Sequence, residues 1–485
     1  MHTAPHSPPP SFAQRWPLWL LAVALAPLLV NRLAPPFLDA DTILMALMST
    51  QKLTLFYWGQ NRYANVLPLL FSPIADLWWN LAAHLWAQAA TYLLMLEAMA
   101  DVLCQLHDQP PTRTRRLLLF GLLVALPLEL LRPFALYQFA VSAQPYALSL
   151  LLLLWAAGAW RRRVVRRAWV LPCAVGVVAA IGVNPALVLI VLTFLALQAW
   201  RGEARPWLGF ALLVLAAFAV WTALSLTYPL HGPSSYTQLA LQTWPTALSQ
   251  SATDLRNNAI FPRYFVLAAA LLGLVTWACQ PPPLPRALRQ ALGVAIVAGV
   301  GWWLFFLANR WVQDNGSPFR YFMPLLFAPL VALAAGYWHV LAARPGRWPS
   351  RLVVALCALA FTAFAVRPWL PLARYGVFAA AAEPVRIARA HRIRYFAGDY
   401  WLVWPAIFTL RAAGEPAFGV FSRGSVMRAE VAQAIRASQR RGAEPLVACV
   451  HTSVPQCQEQ LREATGLDWR LAEVPSDGVC TFLRL

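Results

Sequence analysis

The stretch WPLWLLAVALAPLLVNRLAPPFLDADTILMALMSTQKLTLFYWGQNRY, residues 16–63, changes character half-way along. Its first part is apolar over about the 20 residues that a membrane-spanning helix needs. Its second part carries two aspartates, a lysine, an arginine and a group of aromatic residues. Charged side chains beside a bilayer are costly unless they face water or a cavity, so the stretch predicts a polar site at a membrane surface.

The composition extends this interpretation to the whole chain. Of its 485 residues, 60% are hydrophobic and 12% are charged, with a mean hydropathy of +0.54. A soluble protein of this size needs more charge to cover its surface, so we predict a polytopic membrane protein. The net charge of +19 comes almost wholly from arginines, which cluster between apolar runs. That is the positive-inside pattern of membrane proteins, and it argues against nucleic-acid binding.

Eleven apolar runs are candidate membrane helices, which predicts an all-α polytopic domain. They lie at 16–34, 77–105, 117–137, 144–160, 168–183, 185–200, 206–228, 263–280, 291–308, 320–341 and 351–366. Arginine-rich connections are expected in the cytoplasm. They lie at 107–116, 161–167, 201–206, 281–290 and 344–351. With the N-terminus inside, an odd number of spans leaves every such connection inside and everything after residue 366 outside.

The count is odd only if residues 168–200 form two short helices that break at Asn184-Pro185. Proline removes a backbone donor and disfavours helix at the preceding residue, so a break is expected there. One long tilted helix is the alternative. The first apolar run has a second interpretation as a cleaved secretory signal, but the special residues that follow it favour an uncleaved helix.

The segment after residue 366 regains charge. Helical stretches such as RAEVAQAIRASQRR (428–441) alternate with short β-branched ones such as EPLVACVHT (444–452). This rhythm predicts a small α/β domain that ends in an antiparallel pair of strands. We therefore expect a transmembrane domain over 1–366 and a periplasmic α/β domain over 367–485.

Three cysteines, Cys449, Cys457 and Cys480, lie in this exported segment. An exported domain permits one disulfide among them, and the sequence leaves the pairing open. No set of histidines and cysteines has the spacing of a zinc site, so we predict no structural zinc.

Asp39 and Asp41 follow the first span directly. Two aspartates at this spacing point in different directions in a helix or a strand, so we expect one to face a cavity. The other is expected to cap the helix that follows, which is amphipathic enough to lie along the membrane interface. In an alternative interpretation both aspartates only cap.

The segment FYWGQNRY (56–63) places polar side chains among aromatic ones. A tryptophan beside a membrane is normally a belt residue, but this set also suits a sugar ring held by stacking and hydrogen bonds. The candidates are Tyr57, Trp58, Gln60, Asn61, Arg62 and Tyr63. Arg62 would hold a phosphate, with Lys52 as a second cation.

A third group lies in NRWVQDNGSPFRYFMP (309–324), between two late spans. An arginine on the outer side runs against the positive-inside trend and needs an anion, either a lipid headgroup or a substrate phosphate. The candidates are Arg310, Asn315, Arg320 and Tyr321. RNNAIFPRY (256–264), with Arg256 and Arg263, is a weaker candidate, and its loop, 229–262, is long enough to act as a lid.

Three acids lie within the spans. Glu97 and Asp101 are four residues apart and share a helix face near the cytoplasmic boundary. Only Glu129 is expected near the midplane, where a proton-coupled transporter would need its acids.

Short motifs resemble those of the GT-C membrane glycosyltransferases, a group that includes protein O-mannosyltransferases, the lipid A aminoarabinose transferase and oligosaccharyltransferases. DADTILMAL (39–47) stands where that family has its first-loop acids, and FYWGQNRYANVLPLL (56–70) resembles its YxGQ segment. RYFMPLL (320–326) is similar to its entry to a late span. AQPYALSL (143–150) and GDYWLVWP (398–405) also resemble bacterial members. The family has two adjacent acids, whereas this chain has Asp-Ala-Asp, so either aspartate is a candidate for the catalytic one.

The resemblance implies transfer of a hexose or pentose from a polyprenyl-phosphate donor to a hydroxyl of a glycan, lipid or protein, with inversion, outside the bacterial inner membrane. Asp39 or Asp41 would act as general base, and Arg62, Arg320, Lys52 and Arg310 would hold the donor phosphate. The implied cavity residues are Tyr57, Trp58, Gln60, Asn61, Tyr63, Asn315 and Tyr321. No cofactor is expected, although some members of the family use a divalent metal. The alternatives are a transporter or flippase of a lipid-linked solute and a scaffold subunit without catalysis.

Overall fold

The computed structural model describes residues 12–58, 63–107, 112–143, 146–162, 167–200, 202, 204–228, 238–343, 347–420, 428–442, 445–472 and 480–484. The chain divides into two compact units. The first comprises 1–33, 87–221 and 235–367, and the second comprises 34–86, 222–234 and 368–485. The tail thus shares its unit with the residues that follow the first span, while the boundary predicted after residue 366 stays a prediction.

Helices make up most of the described chain before residue 366. They are α1 (Phe12–Phe37), α2 (Ala40–Gln51), α3 (Val66–Phe71), α4 (Leu77–Gln105), α5 (Arg113–Leu130), α6 (Pro133–Ala140), α7 (Tyr146–Arg162), α8 (Val170–Val183), α9 (Leu187–Trp200), α10 (Leu208–Thr227), α11 (Trp244–Asp254), α12 (Pro262–Cys279), α13 (Arg286–Leu307), α14 (Arg310–Asp314), α15 (Met323–Ala342) and α16 (Arg347–Ala365). The prediction of a helical membrane domain is confirmed.

Six helices in the described part of the chain are long and apolar enough to cross a membrane. They cover Trp16–Phe37, Leu77–Gln105, Arg205–Thr227, Pro262–Cys279, Arg286–Leu307 and Met323–Ala342. Shorter apolar helices cover Arg167–Val183, Leu187–Trp200 and Arg351–Ala365. All of them coincide with predicted runs, as a multi-pass membrane protein requires. The predicted number of eleven spans stays a prediction.

The helix break at Asn184-Pro185 is confirmed. Asn184 leaves the helical conformation, with φ −149° and ψ 92°, and α9 begins only at Leu187. The alternative of one long helix over 168–200 is therefore wrong. Pro185 explains the break, because it disfavours helical backbone at Asn184.

A second proline interrupts the predicted run 117–137. Helix α5 ends at Leu130 and α6 begins at Pro133, with Leu131 and Arg132 extended between them. The backbone N–H of Arg132 donates to the carbonyl of Ala259 at 2.9 Å. This partner satisfies a peptide group that the broken helix leaves unpaired. The run is therefore two helices rather than one.

The tail is an α/β structure, as predicted. Its elements are α17 (Gly376–Ala380), α18 (Ala382–Ala390), β1 (Tyr395–Gly398), α19 (Tyr400–Ala412), β2 (Phe418–Gly419), α20 (Arg428–Arg440), β3 (Leu446–Val450), α21 (Val454–Thr465), β4 (Arg470–Leu471) and β5 (Cys480–Arg484). The sheet order is β2-β1-β3-β5-β4. Strand β1 runs parallel to β2 and β3, whereas β5 is antiparallel to both β3 and β4. The expected final antiparallel pair is β4 and β5.

A disulfide joins Cys449 of β3 to Cys457 of α21. It fixes this helix to the strand from which its loop departs. The third cysteine, Cys480, lies buried on β5 and is not part of the disulfide. The pairing that the sequence left open is therefore between the two cysteines nearest in the chain.

Helix α2 is buried rather than spread along a surface. Nine of its twelve residues are buried, including Ile43, Leu47 and Met48 at the core. Helix α19 of the tail packs directly against it. The expected position of α2 along the membrane interface stays a prediction.

Candidate functional site

Asp39 caps helix α2. Its backbone is extended, with φ −119° and ψ 166°, and its Oδ1 accepts a hydrogen bond from the backbone N–H of Thr42 at 2.9 Å. The hydroxyl of Thr42 donates to the same oxygen at 2.7 Å. Satisfying a free amide of the first turn is the ordinary work of an aspartate at this position. Asp39 is thus the capping member of the pair.

Asp41 lies in the first turn of α2 and is partly exposed. The phenol of Tyr400 donates a 2.7 Å hydrogen bond to its Oδ1. The phenol of Tyr57 donates to its backbone carbonyl at 2.8 Å. Two tyrosines therefore hold this residue, one through its carboxylate and one through its backbone.

Tyr400 is suited to remain a donor. Desolvation of its phenol, together with the negative charge of Asp41, raises the pKa of Tyr400 well above its usual range. Both causes disfavour the phenolate, so the hydroxyl keeps its proton at physiological pH. The hydrogen bond to Asp41 is therefore one from a neutral donor to a carboxylate acceptor, which is stronger than a bond between neutral groups.

The turn before Tyr400 is held by the sheet. The backbone N–H of Asp399 donates to the carbonyl of Val450 at 2.8 Å, and that of Gly398 donates to Oε1 of Gln460 at 3.1 Å. Gly398 has φ +107°, and a Cβ there would lie 2.2 Å from the carbonyl oxygen of Val450. The Oδ1 of Asp399 accepts from the N–H of Trp401 at 2.7 Å and caps α19. The start of α19 is thus fixed at several points.

The contacts of the aromatic candidates near Asp41 are packing contacts and hydrogen bonds to the backbone. Trp58 is buried, donates from Nε1 to the carbonyl of Lys52 at 3.1 Å, and has its ring 6.1 Å from that of Trp404. The carbonyl of Tyr63 accepts from the backbone N–H of Tyr57 at 2.9 Å. These contacts hold Tyr57 and Trp58 in place after the helix that carries Asp41.

Gln60, Asn61 and Arg62 lie outside the described residues. Their predicted roles in sugar and phosphate binding remain predictions. Lys52 is described, and its backbone ends α2 in an extended conformation with φ −153° and ψ 101°.

The late-span candidates belong to the first unit. Arg310 forms a loose pair with Asp314 at 3.9 Å, in which both side chains are more than half exposed. Such an exposed pair contributes little to stability, so it leaves the guanidinium accessible to another anion. The Nδ2 of Asn315 donates to the carbonyl of Trp311 at 2.6 Å and closes the turn after α14.

Arg320 and Tyr321 lie in a 3₁₀ turn, Phe319–Tyr321, just before α15, and their backbone carbonyls are bonded to side chains of neighbouring helices. The phenol of Tyr146 donates to the carbonyl of Arg320, and the indole of Trp302 donates to the carbonyl of Tyr321, both at 2.8 Å. The guanidinium of Arg320 lies 5.3 Å from the ring centre of Tyr321. The predicted site residues are thus divided between the two units, with Arg310, Asn315, Arg320 and Tyr321 in the first.

The remaining candidates have structural surroundings. The loop 229–262, predicted as a lid, contains helix α11 followed by a π-helical turn, Leu255–Ala259, in its described part. Glu97 and Asp101 do share a helix face, and both pair with the buried guanidinium of Arg116, at 2.7 and 3.3 Å. Within the described ranges, no group of three His, Cys, Asp or Glu residues is arranged to hold a metal ion.

Tyr400 is the residue that sequence reasoning missed. The motif GDYWLVWP was noted only for its likeness to bacterial members of a family, and it lies 359 positions from Asp41. One local signal was present, since Asp399 precedes a helix-forming run in the way of a capping residue. That signal predicts a helix start but not its partner.

Two crystal structures of ArnT from Cupriavidus metallidurans are similar to this chain. The structure in the apo state has 15% sequence identity and a TM-score of 0.53, and the match covers 98% of each chain. The structure bound to undecaprenyl phosphate has 13% identity and a TM-score of 0.52, over 97% of this chain and 98% of that one. The chain therefore shares the fold of these two ArnT structures. No family model and no curated protein sequence matches the chain.

The shared fold includes the tail, because the match covers nearly the whole of each chain. The resemblance that short motifs indicated is thereby confirmed at the level of the fold. At 13–15% sequence identity the similar structures do not assign roles to single residues, so those roles are argued from the distances and contacts in this chain.

Proposed function

We propose that the chain is a membrane glycosyltransferase that moves a sugar from a polyprenyl-phosphate donor to an acceptor hydroxyl, with inversion at the anomeric carbon. The observation that carries the proposal is the carboxylate of Asp41, which is hydrogen-bonded by Tyr400 and lies on a fold shared with ArnT. One of the similar structures is bound to undecaprenyl phosphate, which belongs to the class of lipid that would leave when the proposed donor gives up its sugar.

In this proposal Asp41 is the general base, and Asp39 serves only the helix. The acceptor oxygen attacks the anomeric carbon while its proton passes to the Asp41 carboxylate. The bond between that carbon and the phosphate oxygen breaks, and the polyprenyl phosphate leaves with the electron pair. A positioned base of this kind contributes roughly 100- to 10,000-fold to the rate.

The leaving phosphate needs positive charge as the bond breaks. We propose Arg62, Arg320, Lys52 and Arg310 for this role. The accessible guanidinium of Arg310 supports its inclusion. Because these cations meet the charge of the phosphate, the proposed step uses no metal. Tyr57, Trp58, Gln60, Asn61, Tyr63, Asn315 and Tyr321 remain the proposed lining of the sugar and acceptor cavity.

We propose that the reaction takes place on the periplasmic side of the bacterial inner membrane. The arginine-rich connections would then lie in the cytoplasm with the N-terminus. The disulfide between Cys449 and Cys457 supports an external tail, since disulfides persist in oxidising compartments.

The proposal is tested with purified protein and a radiolabelled undecaprenyl-phosphate sugar. Supplied with envelope extract as a source of acceptors, the protein is expected to move label from the donor lipid to another molecule. A donor that crosses a liposome bilayer without losing its sugar would identify a flippase instead. Absence of both activities, over the common undecaprenyl-phosphate pentoses and hexoses, would favour a scaffold subunit.

A further inference from the structure

We infer that Tyr400 is a positioning residue for Asp41, so that the tail of the chain supplies a working part of the catalytic site. The inference rests on the proposed function, because it needs Asp41 to be the base. It adds a residue from the α/β tail, 359 positions away, that acts through Asp41 rather than on substrate.

The two oxygens of the Asp41 carboxylate differ in their surroundings. Oδ1 accepts the phenol of Tyr400 at 2.7 Å, whereas the described residues place no hydrogen bond on Oδ2. A carboxylate held through one oxygen presents the other in a fixed direction. Oδ2 is therefore the atom that takes the acceptor proton.

Tyr57 completes this arrangement from the other side. Its phenol donates to the backbone carbonyl of Asp41 at 2.8 Å and also contacts the phenol of Tyr400. The backbone and the side chain of Asp41 are thus fixed separately. A side chain that is held at both ends loses little further freedom when substrate binds.

The position of Tyr400 is itself set by rigid elements. Helix α19 packs along α2, so the distance between Tyr400 and Asp41 follows from the packing of two helices. The start of α19 is bonded to β3 through Asp399 and to α21 through Gln460. Groups on such elements are more precisely placed than groups on a loop.

An alternative role for the phenol is simple stability, as a satisfied polar group in the contact between α2 and α19. The two roles predict changes in different measured quantities. A stabilising contact changes the folded fraction, whereas a positioning contact changes turnover of the folded enzyme. In the proposed step Asp41 acts on the acceptor hydroxyl rather than on the donor, so a positioning role is expected to leave the KM for the donor unchanged.

The test compares the full-length purified protein carrying Tyr400→Phe, with Tyr395→Phe as the matched control. The control substitution also removes a tyrosine hydroxyl from the second unit. The ring of Tyr395 stacks on Phe418 and is not hydrogen-bonded to Asp41. Turnover is followed as loss of label from radiolabelled undecaprenyl-phosphate sugar in the presence of envelope extract. Tyr400→Phe is expected to lower kcat about 10- to 100-fold, with the donor KM within twofold and the thermal midpoint close to that of the wild type.

A second variant replaces Tyr400 with 4-aminophenylalanine, which keeps a hydrogen-bond donor at the same place on the ring. It is expected to restore a large part of the lost kcat. Wild-type kcat in Tyr400→Phe, together with an inactive Asp41→Asn, would overturn the inference and leave the proposed function standing. Full activity in Asp41→Asn would overturn both. A kcat loss that tracks a lowered thermal midpoint and is not restored by the amino analogue would mean a structural role only.

Discussion

Asp39 caps the helix whose first turn carries Asp41. The Oδ1 of Asp39 is engaged by Thr42, whereas the Oδ1 of Asp41 is engaged by Tyr400 from the tail. Two acids of the same chemistry, two residues apart, thus have different partners. The difference between them is one of geometry and is open to direct measurement.

We expect that other helix-capping residues can replace Asp39 without loss of activity. Asn caps helices about as well as Asp, so Asp39→Asn is expected to keep both stability and turnover. Asp39→Ala removes the cap and is expected to cost about 1 kcal/mol of unfolding free energy. Thermal unfolding in detergent and the donor-label assay measure the two effects. A large loss of turnover in Asp39→Asn would instead identify Asp39 as a participant in the chemistry.

The ion cluster of Arg116, Glu97 and Asp101 is expected to contribute strongly to the stability of the first unit. All three side chains are almost fully buried, and Trp19 donates to Glu97 at 2.9 Å from α1. Arg116→Ala leaves two buried acids without their cation and is expected to destabilise the protein by about 3–5 kcal/mol.

The matched control is Arg386→Ala, which breaks an exposed pair with Glu383 in the tail. It is expected to leave the thermal midpoint unchanged within error, because exposed pairs are screened by water. Equal midpoints for Arg116→Ala and the control would contradict the account of the buried cluster.

The Cys449–Cys457 disulfide is expected to stabilise the tail. It closes a short loop, and the chain-entropy estimate for such a loop is roughly 2–3 kcal/mol. Cys457→Ser should therefore lower the thermal midpoint, and reduction of the wild type should reproduce that value. Cys357→Ser, on the membrane helix α16, serves as the control. Mass spectrometry that finds the two thiols unlinked in the native protein would contradict the pairing.

Tyrosine ionisation gives a test of the environment of Tyr400. Burial raises the pKa of Tyr375 to about 12, and the pKa of Tyr400 is raised well above its usual value of 10.0. The unfolded chain loses these protons near pH 10, so it binds fewer protons than the folded chain above that pH. The stabilising contribution is complete below pH 10 and is lost as the pH rises toward the folded-state values.

This effect is measured as tyrosinate absorbance at 295 nm during an alkaline titration. Some tyrosines of the wild type are expected to ionise only when the protein unfolds. Tyr400→Phe should reduce that late fraction by one residue, and Tyr395→Phe, whose pKa is raised less, serves as a comparison. Reversible ionisation of Tyr400 near pH 10, before the protein unfolds, would show that its phenol is exposed to solvent.

Much of the fold follows from local sequence, because the length of an apolar run and the position of a proline act on neighbouring residues. The break at Asn184-Pro185 is of this kind, and so is the alternation of helix and strand in the tail. The capping role of one aspartate also follows, since a cap needs only the next three residues.

Other features depend on contacts between distant segments and leave no local pattern. The burial of α2 depends on packing against α19, and the sequence of α2 does not reveal which of its residues α19 contacts. The hydrogen bond from Tyr400 to Asp41 joins residues 359 positions apart, so it depends on the folded tail and not on local sequence. The choice between Asp39 and Asp41 was open for this reason.

The most direct measurement compares sugar transfer by the wild type, Asp41→Asn and Asp39→Asn under the same conditions. Each purified protein receives radiolabelled undecaprenyl-phosphate sugar and envelope extract, and transfer of label is followed over time. We predict a loss of about 100-fold or more in Asp41→Asn, with wild-type rates in Asp39→Asn. Wild-type rates in Asp41→Asn would contradict the assignment of the general base.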